Sequence, residues 1–310
     1  MTASPTGRRG PEKHCWRAIS SIDRHGRPGI RRADLCDDGR VTSETPAPEE
    51  LLAIAVAIAA DGAVLAREAR STAITQVRTK STETDVVTAA DHAVERLVLE
   101  ALHTERPRDA VLTEEAGTVA GHGSDVRWIL DPIDGTVNYL YGVPYYALSL
   151  AAEVSGTVVA GVVHNIATGT VYTATRGGGA WRDAHRLSGS AETELSQALV
   201  ATGFAYRSDR RAHQSAVLAG LLASIRDIRR LGAGALDLCL AAEGAVDAYY
   251  EKGLSTWDLA AGALIASEAG LVVSGLDGRP AGPEFLLAAP PDLHAALVRV
   301  LADLDASGGP

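Results

Sequence analysis

The chain has 310 residues, of which 46% are hydrophobic and 22% charged, and its formal net charge is −10. This length suits one large domain or two, and the composition excludes a wholly disordered or collagen-like chain. The acidic balance disfavours nucleic acid as a partner, because a phosphate backbone needs a basic surface, but it leaves open phosphorylated small molecules whose charge is met by metal ions.

Residues 1–46 differ in composition from the rest of the chain. They contain nine basic and six acidic residues, a local charge of +3, and show no apolar periodicity. Their content of Gly, Pro, Arg and Ser predicts a disordered N-terminal extension. A protein that starts downstream, near Val41, is an alternative interpretation. In either case the folded domain is predicted over residues 47–310.

The lengths of apolar runs and the number of cysteines indicate the cellular compartment of the chain. The longest apolar run, residues 51–60, has ten residues, whereas a membrane-spanning helix needs about 20. No apolar stretch follows Arg8-Arg9, so a signal peptide is not predicted. An odd count of three cysteines is typical of a reducing compartment. The chain is therefore predicted to be soluble and cytoplasmic.

From Pro48 onward, apolar residues recur with the periods of helices and short strands. Six long helices are predicted, over residues 49–70, 91–105, 211–225, 233–243, 257–269 and 292–305. Strands are predicted over residues 110–113, 128–130, 146–153, 158–164, 170–175, 246–251, 271–274 and 285–288. Because strands and helices interleave with hairpin-like pairs, we predict mixed α/β or α+β layering rather than a purely parallel sheet.

The segment Trp128-Ile-Leu-Asp131-Pro-Ile-Asp134-Gly-Thr136 combines features of a metal and phosphate site. Two carboxylates held this close repel each other unless a cation lies between them or one is protonated. Such hard oxygen ligands suit Mg²⁺. Thr136 opens a predicted short helix, and the N–H groups at a helix start can bind phosphate. The spacing of the two aspartates by itself is more typical of a plain capped turn.

Further acidic residues fall at the ends of predicted elements. Glu114-Glu115 and Glu251 end strands, whereas Asp91 and Asp258 begin helices. Each has an ordinary interpretation when taken singly, as a helix N-cap or a solvated loop acid. Catalytic groups collect at such positions, so together they favour a phosphoryl-transfer site with bound metal.

The chain resembles the inositol monophosphatase family over roughly residues 50–299. The resemblance rests on W-I-L-D-P-I-D-G-T-V-N at 128–138 and W-D-L-A-A-G-A-L-I-A-S-E-A-G at 257–270, with support from T-E-E at 113–115 and D-A-Y-Y-E at 247–251. It implies an αβαβα sandwich whose halves, about 47–190 and 191–310, meet at the metal site. It also implies a lithium-sensitive, Mg²⁺-dependent phosphatase that forms a homodimer.

The resemblance implies the roles of individual residues. Two or three Mg²⁺ ions would bind to Glu114, Asp131, Asp134, Asp258 and the backbone carbonyl of Ile133. Catalytic roles would fall to Asp91, Glu114 and Thr136. Phosphate and the alcohol part of the substrate would contact Asp134, Gly135, Thr136, Gly234, Glu251 and Asp258.

The substrate implied by the resemblance is inositol 1-phosphate. Relatives act on histidinol phosphate, fructose 1,6-bisphosphate or 3′-phosphoadenosine 5′-phosphate with the same metal ligands, so these substrates stay open. A regulatory protein that binds the transcription machinery is an alternative of another class. Two positions depart from the family pattern: Thr113 stands where Gly is usual, and Gly232-Ala233-Gly234 replaces Gly-Thr-Ala.

Overall fold

The structure, a computed structural model, describes residues 46–73, 77–79 and 86–310. The predicted N-terminal extension, except for its last residue, lies outside these ranges. Every helix in the described ranges is too short or too polar to cross a lipid bilayer.

Helices and strands alternate along the described chain. In chain order they are α1 (Pro48–Ala73), β1 (Val77–Thr79), β2 (Val86–Thr88), α2 (Ala89–Glu105), β3 (Ala110–Thr113), β4 (Gly117–Val119), β5 (Val126–Asp134), α3 (Thr136–Tyr141), β6 (Ala147–Val154), β7 (Thr157–Asn165), β8 (Val171–Thr175), β9 (Gly179–Arg182), β10 (His185–Arg186), β11 (Leu199–Thr202), α4 (Ser208–Leu221), β12 (Asp227–Arg229), α5 (Gly234–Glu243), β13 (Ala248–Glu251), α6 (Thr256–Glu268), β14 (Val272–Ser274), β15 (Leu286–Ala289) and α7 (Pro291–Asp303).

Two large sheets organise these elements, and β1 pairs with β2 in a separate two-stranded sheet. The larger has eight strands in the order β10-β9-β8-β7-β6-β5-β3-β4. Adjacent strands in it are antiparallel, except for the parallel pair β3 and β5. The smaller has five strands in the order β12-β11-β13-β15-β14, with β11 parallel to both neighbours. Mixed sheets of this kind agree with the predicted interleaving of strands and helices.

The helices separate into three layers around the sheets. Helices α1 and α2 pack on one face of the large sheet, α5 and α6 lie between the two sheets, and α4 and α7 pack on the outer face of the small sheet. Three buried apolar clusters fill the spaces between layers. The predicted αβαβα sandwich is confirmed.

Small residues allow the middle helices to approach their neighbours closely. A Cβ on Gly161 of β7 would lie 3.0 Å from the Cα of Ala261 in α6, and a Cβ on Gly262 would lie 2.9 Å from the Leu238 side chain in α5. Neither site has room for a larger side chain, because interiors are packed without voids. This close packing places the start of α6 beside the end of β5.

Strand β5 is longer than the sequence predicts. It continues through Pro132 to Asp134, and its pairing with β6 shifts register between Asp131 and Asp134. A proline has no N–H to give to a sheet, and it is tolerated at such a bulge. Strands β1, β2, β4, β9, β10, β11 and β12 were not predicted; they have only two to four residues, too few for a period to show.

Candidate active site

The end of β5 and the start of α3 bring three predicted site residues together. Asp131, Asp134 and Thr136 are all buried, with 2%, 8% and 6% exposure. Gly135, between strand and helix, has φ = +84°, and a Cβ there would lie 3.1 Å from the Tyr145 carbonyl oxygen. Only glycine adopts this conformation readily. The sharp turn therefore depends on Gly135.

Asp91 connects the start of α2 with the start of α3. Its Oδ2 accepts hydrogen bonds from the Thr88 backbone N–H (2.8 Å) and hydroxyl (2.6 Å). The Thr136 Oγ1 lies 3.4 Å from the Asp91 Oδ1 and 3.1 Å from the Ile133 carbonyl oxygen. The ordinary interpretation of Asp91 as the N-cap of α2 is wrong. Thr88 is the N-cap, and Asp91 is the third residue of a capping box.

Asp258 and Asp134 are held by backbone donors. Asp258 is the third residue of a capping box in α6, and its Oδ2 accepts from the N-cap Ser255 N–H at 2.6 Å. Asp134 accepts from the Ala235 N–H, in the first turn of α5, at 2.8 Å. Donors of this kind orient a carboxylate and favour its charged form. Asp258 is therefore held in the first turn of α6, and Asp134, at the end of β5, is held against the first turn of α5.

Burial and mutual repulsion dominate the electrostatics of these carboxylates. Burial, with the nearby carboxylates of Glu114, Asp134 and Asp258, raises the pKa of Asp131 well above its usual value. Burial raises the pKa of Asp134 to about 7, against the opposing effect of its backbone donors. The pKa of Asp258 is also raised well above the usual value, first by burial and then by its acidic neighbours. The cluster thus favours either protons or a cation.

A cleft of about 380 Å³ opens onto these groups. Its lining includes all the predicted metal and substrate residues: Glu114, Asp131, Ile133, Asp134, Gly135, Thr136, Gly234, Glu251 and Asp258. Residues 203–207, Arg210, Arg230 and Gly232 line it as well. Lining residues thus come from both predicted halves of the domain, 47–190 and 191–310.

Glu251 lies on the side of the cleft formed by the small sheet. Its Oε2 accepts a hydrogen bond from the Tyr249 hydroxyl at 2.6 Å. Burial raises the pKa of Glu251, and the Tyr249 bond and the charge of Arg230 oppose the rise. A Cβ on Gly203 would lie 1.8 Å from the Glu251 Oε2, so a glycine at that position makes room for the carboxylate.

The structure adds Glu95, a residue that sequence reasoning missed. This buried α2 residue accepts from the Thr113 hydroxyl (2.5 Å) and the Ala116 N–H (3.0 Å) with one oxygen, Oε1. Both donors flank Glu114-Glu115, so Glu95 holds the loop on either side of the acidic pair. Thr113, the departure from the family pattern, supplies one of the donors. The one sequence signal was a glutamate among the apolar positions of α2.

A comparison with known families identifies the chain. The sequence model of the inositol monophosphatase family matches residues 47–306. The chain belongs to the inositol monophosphatase family. Members of this family are phosphatases.

Relatives in the family carry two kinds of name. An inositol-1-monophosphatase of Mycobacterium leprae is 44% identical over 82% of this chain and 94% of its own length. Nus factor SuhB of Escherichia coli K12 is 38% identical over 63% of this chain and 73% of its own length. The solved structure of Mycobacterium tuberculosis SuhB is 39% identical, covers 85% of this chain and all of its own, and has a TM-score of 0.73.

Inositol monophosphatases are generally metal-dependent, and the residues of the cleft fit a hard cation. The Asp131 Oδ1 is buried and has no hydrogen-bond partner among the described residues, and such an atom is costly unless something balances it. All the side-chain donors are carboxylate oxygens, which suit Mg²⁺. Within the described ranges, no three acidic, His or Cys side chains already converge on one point as metal ligands, so a cation would draw the mutually repelling carboxylates together.

Proposed function

We propose that this chain is a Mg²⁺-dependent phosphomonoesterase that hydrolyses inositol 1-phosphate to inositol and phosphate. The observation that supports it most is the cleft itself, in which Glu114, Asp131, Asp134 and Asp258 share one space with Glu251. A phosphate dianion would be repelled by these carboxylates alone. The site therefore suits a phosphate ester only together with cations.

The metal ligands we propose are Glu114, Asp131, Asp134, Asp258 and the backbone carbonyl of Ile133. Two or three Mg²⁺ ions held there would neutralise the phosphate, make water a better nucleophile and stabilise the leaving oxygen. Asp131, the most buried of these four carboxylates, is the residue we propose to be shared between two ions.

Asp91 and Thr136 are the groups we propose to handle the attacking water. The two Thr88 donors occupy the Asp91 Oδ2, and the Asp91 Oδ1 is the oxygen beside the Thr136 hydroxyl. A threonine hydroxyl donates one proton and accepts others. Thr136 can thus orient a water while Asp91 receives its proton, with help from Glu114.

The two parts of the substrate would contact different groups. The N–H groups of Gly135 and Thr136 would bind phosphate, since the turn at Gly135 places both beside the cleft. Glu251, with Asp134 and the backbone at Gly234, would bind hydroxyls of the alcohol. A hydrogen bond from a polyol hydroxyl to a carboxylate is stronger than one to a neutral acceptor. Glu251 therefore favours a polyol over an apolar alcohol.

Phosphate release tests the proposal with inositol 1-phosphate, histidinol phosphate, fructose 1,6-bisphosphate and 3′-phosphoadenosine 5′-phosphate. We expect Mg²⁺-dependent turnover with the highest kcat/KM for inositol 1-phosphate. Turnover of histidinol phosphate alone would contradict the substrate, and equal rates with and without Mg²⁺ would contradict the metal. Inhibition by lithium in the millimolar range and a homodimeric state are expected from the family resemblance, as is a cytoplasmic location.

A regulatory role is a second candidate, favoured by the similarity to the relative named Nus factor SuhB. The variant Asp131→Asn separates the two functions, because it removes a proposed metal ligand and leaves the exposed surface unchanged. Loss of a physiological effect in this variant supports turnover as its cause. An effect that survives supports binding to a partner.

A further inference from the structure

Lys252 is a buried lysine that no acidic side chain of the described residues neutralises. Only 7% of the residue is exposed, and no ion pair in the described ranges includes it. Its Nζ donates instead to the backbone carbonyls of Gly308 (2.5 Å) and Gly309 (3.4 Å). A buried ammonium is costly without such partners. The residues after α7 are therefore the groups that compensate the charge of Lys252.

Helix α4 binds the same segment. The Arg210 Nε donates to the Pro310 backbone oxygen at 3.0 Å, and the His213 Nε2 lies 2.9 Å from the Asp305 carbonyl oxygen. Gly309 has φ = +79°, and a Cβ there would lie 2.6 Å from the His213 ring. Residues 305–310, called the strap below, thus fit closely against α4 and Lys252.

The strap is bound by Arg210, which lines the cleft, and by Lys252, whose two chain neighbours line it. Lys252 directly follows Glu251 and precedes Gly253, and both of these line the cleft, as does Arg210. Gln214 links the segment around Glu251 to the segment 203–207. Its Nε2 donates to the Lys252 carbonyl (3.3 Å), and its Oε1 accepts from the N–H of Ala205 (2.9 Å). The wall is thus one hydrogen-bonded unit with the strap behind it.

We propose that the strap, through Lys252, positions the wall of the cleft that binds the alcohol part of the substrate. Lys252 is a positioning residue, since it touches the strap and not the cleft. The inference rests on the proposed function for the identity of the substrate. Release of the strap would leave the Lys252 ammonium without acceptors and free the segment that carries Glu251. It would not alter Asp131, Asp134 or the other metal-binding groups.

The test compares two strap variants with matched controls. Lys252→Met removes the ammonium but keeps an unbranched side chain, and Arg299→Met makes the same kind of change on the exposed side of α7. Gly309→Ala places a methyl group against His213, and Gly156→Ala places one at a glycine of similar φ (+82°) with no neighbour within 4 Å. Two substrates are used, inositol 1-phosphate and p-nitrophenyl phosphate, which lacks the polyol.

Both strap variants are expected to raise KM for inositol 1-phosphate by roughly tenfold, the effect of weakening one or two hydrogen bonds. The kcat for inositol 1-phosphate should change less than about twofold, and so should kcat and KM for p-nitrophenyl phosphate, because the metal-binding groups are untouched. Hydrogen exchange of residues 203–210 and 251–253 should become faster in both variants and stay unchanged in both controls.

Each outcome has a distinct meaning. Strap variants that match their controls in KM and in hydrogen exchange overturn the proposal, and so does faster exchange with an unchanged KM for inositol 1-phosphate. A wild-type protein that does not hydrolyse inositol 1-phosphate contradicts the proposed function instead. In that case the exchange measurement still tests whether the strap holds the wall.

Discussion

The two walls of the cleft are built by different means. The acidic wall consists of Glu114, Asp131, Asp134, Thr136 and Asp258, with Asp91 beside Thr136. The substrate wall consists of residues 203–207, Arg210, 232–234, Glu251 and Gly253. On the acidic wall, Asp91 and Asp258 accept from backbone donors three residues away. Behind the substrate wall, Lys252 donates to the carbonyls of Gly308 and Gly309, 56 and 57 residues away. Asp91 and Asp258 thus depend on local structure, whereas Lys252 depends on a distant part of the chain, as does Asp134, whose donor Ala235 is 101 residues away.

This difference has a consequence for specificity. Asp91 and Asp258 keep their positions whatever the surrounding loops do, since their backbone donors belong to the same turn. A wall held by loops and a distant segment can change with few substitutions. We infer that the reaction depends on the acidic wall, whereas the choice of alcohol depends on the substrate wall.

The largest effect should come from Asp131→Asn on the acidic wall. We expect phosphatase activity to fall about a thousandfold or more, equivalent to about 4 kcal/mol of transition-state stabilisation. The metal-free protein should become more stable, because a buried carboxylate that repels its neighbours becomes neutral. Steady-state kinetics and calorimetry in EDTA measure the two effects. Asp125→Asn, an exposed change just before the same strand, is the control, and equal metal-free melting temperatures would contradict the predicted repulsion.

A smaller effect is expected from Glu95→Ala, which removes the acceptor that holds the loop around Glu114. The Mg²⁺ concentration for half-maximal activity should rise by about ten- to a hundredfold, as for other residues that orient metal ligands. Mg²⁺ titration of activity and of melting temperature measures this. Glu95→Gln keeps an oxygen acceptor and should restore much of the affinity, whereas exposed Glu100→Ala should change nothing. An unchanged Mg²⁺ requirement in Glu95→Ala would show that Glu95 does not position the loop.

On the substrate wall, Glu251→Gln should act mainly on the polyol. We expect kcat/KM for inositol 1-phosphate to fall roughly tenfold through KM, because a charged acceptor becomes neutral. The kinetics of p-nitrophenyl phosphate should stay within about twofold of wild type, and so should all kinetics of the exposed control Glu194→Gln. Equal losses on both substrates would place Glu251 with the acidic wall.

The smallest effect is a pH dependence of stability in the metal-free protein. The pKa of Asp134 is raised to about 7, and those of Asp131 and Asp258 are also raised. A carboxyl group whose folded-state pKa is raised stabilises the fold while protonated, and this contribution is lost as the pH rises. We expect the melting temperature in EDTA to fall by a few degrees from about pH 5 to pH 8.

Mg²⁺ should reverse this dependence. Because cations replace protons on the carboxylates, the increase in melting temperature on adding Mg²⁺ should be larger at pH 8 than at pH 5. Asp134→Asn should reduce the difference between the two pH values, and exposed Asp125→Asn should not. A metal-free protein that becomes more stable with rising pH over this range would contradict the direction of the shifts.

Much of the fold follows from local patterns in the sequence. The periodicity of residues 49–70 predicted α1, which spans Pro48–Ala73, and the apolar runs of the longer strands predicted β6, β7 and β8. Long elements repeat their pattern enough times to be recognised. Strands β11 and β12 have four and three residues; they are held in the sheet by their neighbours, which no local pattern contains.

For the site, the sequence by itself determined which residue types stand at the ends of which elements, and therefore the family and its αβαβα fold. Only the tertiary structure decided that Glu95 holds the loop around Glu114 and that Lys252 binds the strap. The physical reason is the range of the interactions. A capping box or a strand end lies within a few residues and leaves a motif, whereas two groups far apart in the chain are brought together by packing alone.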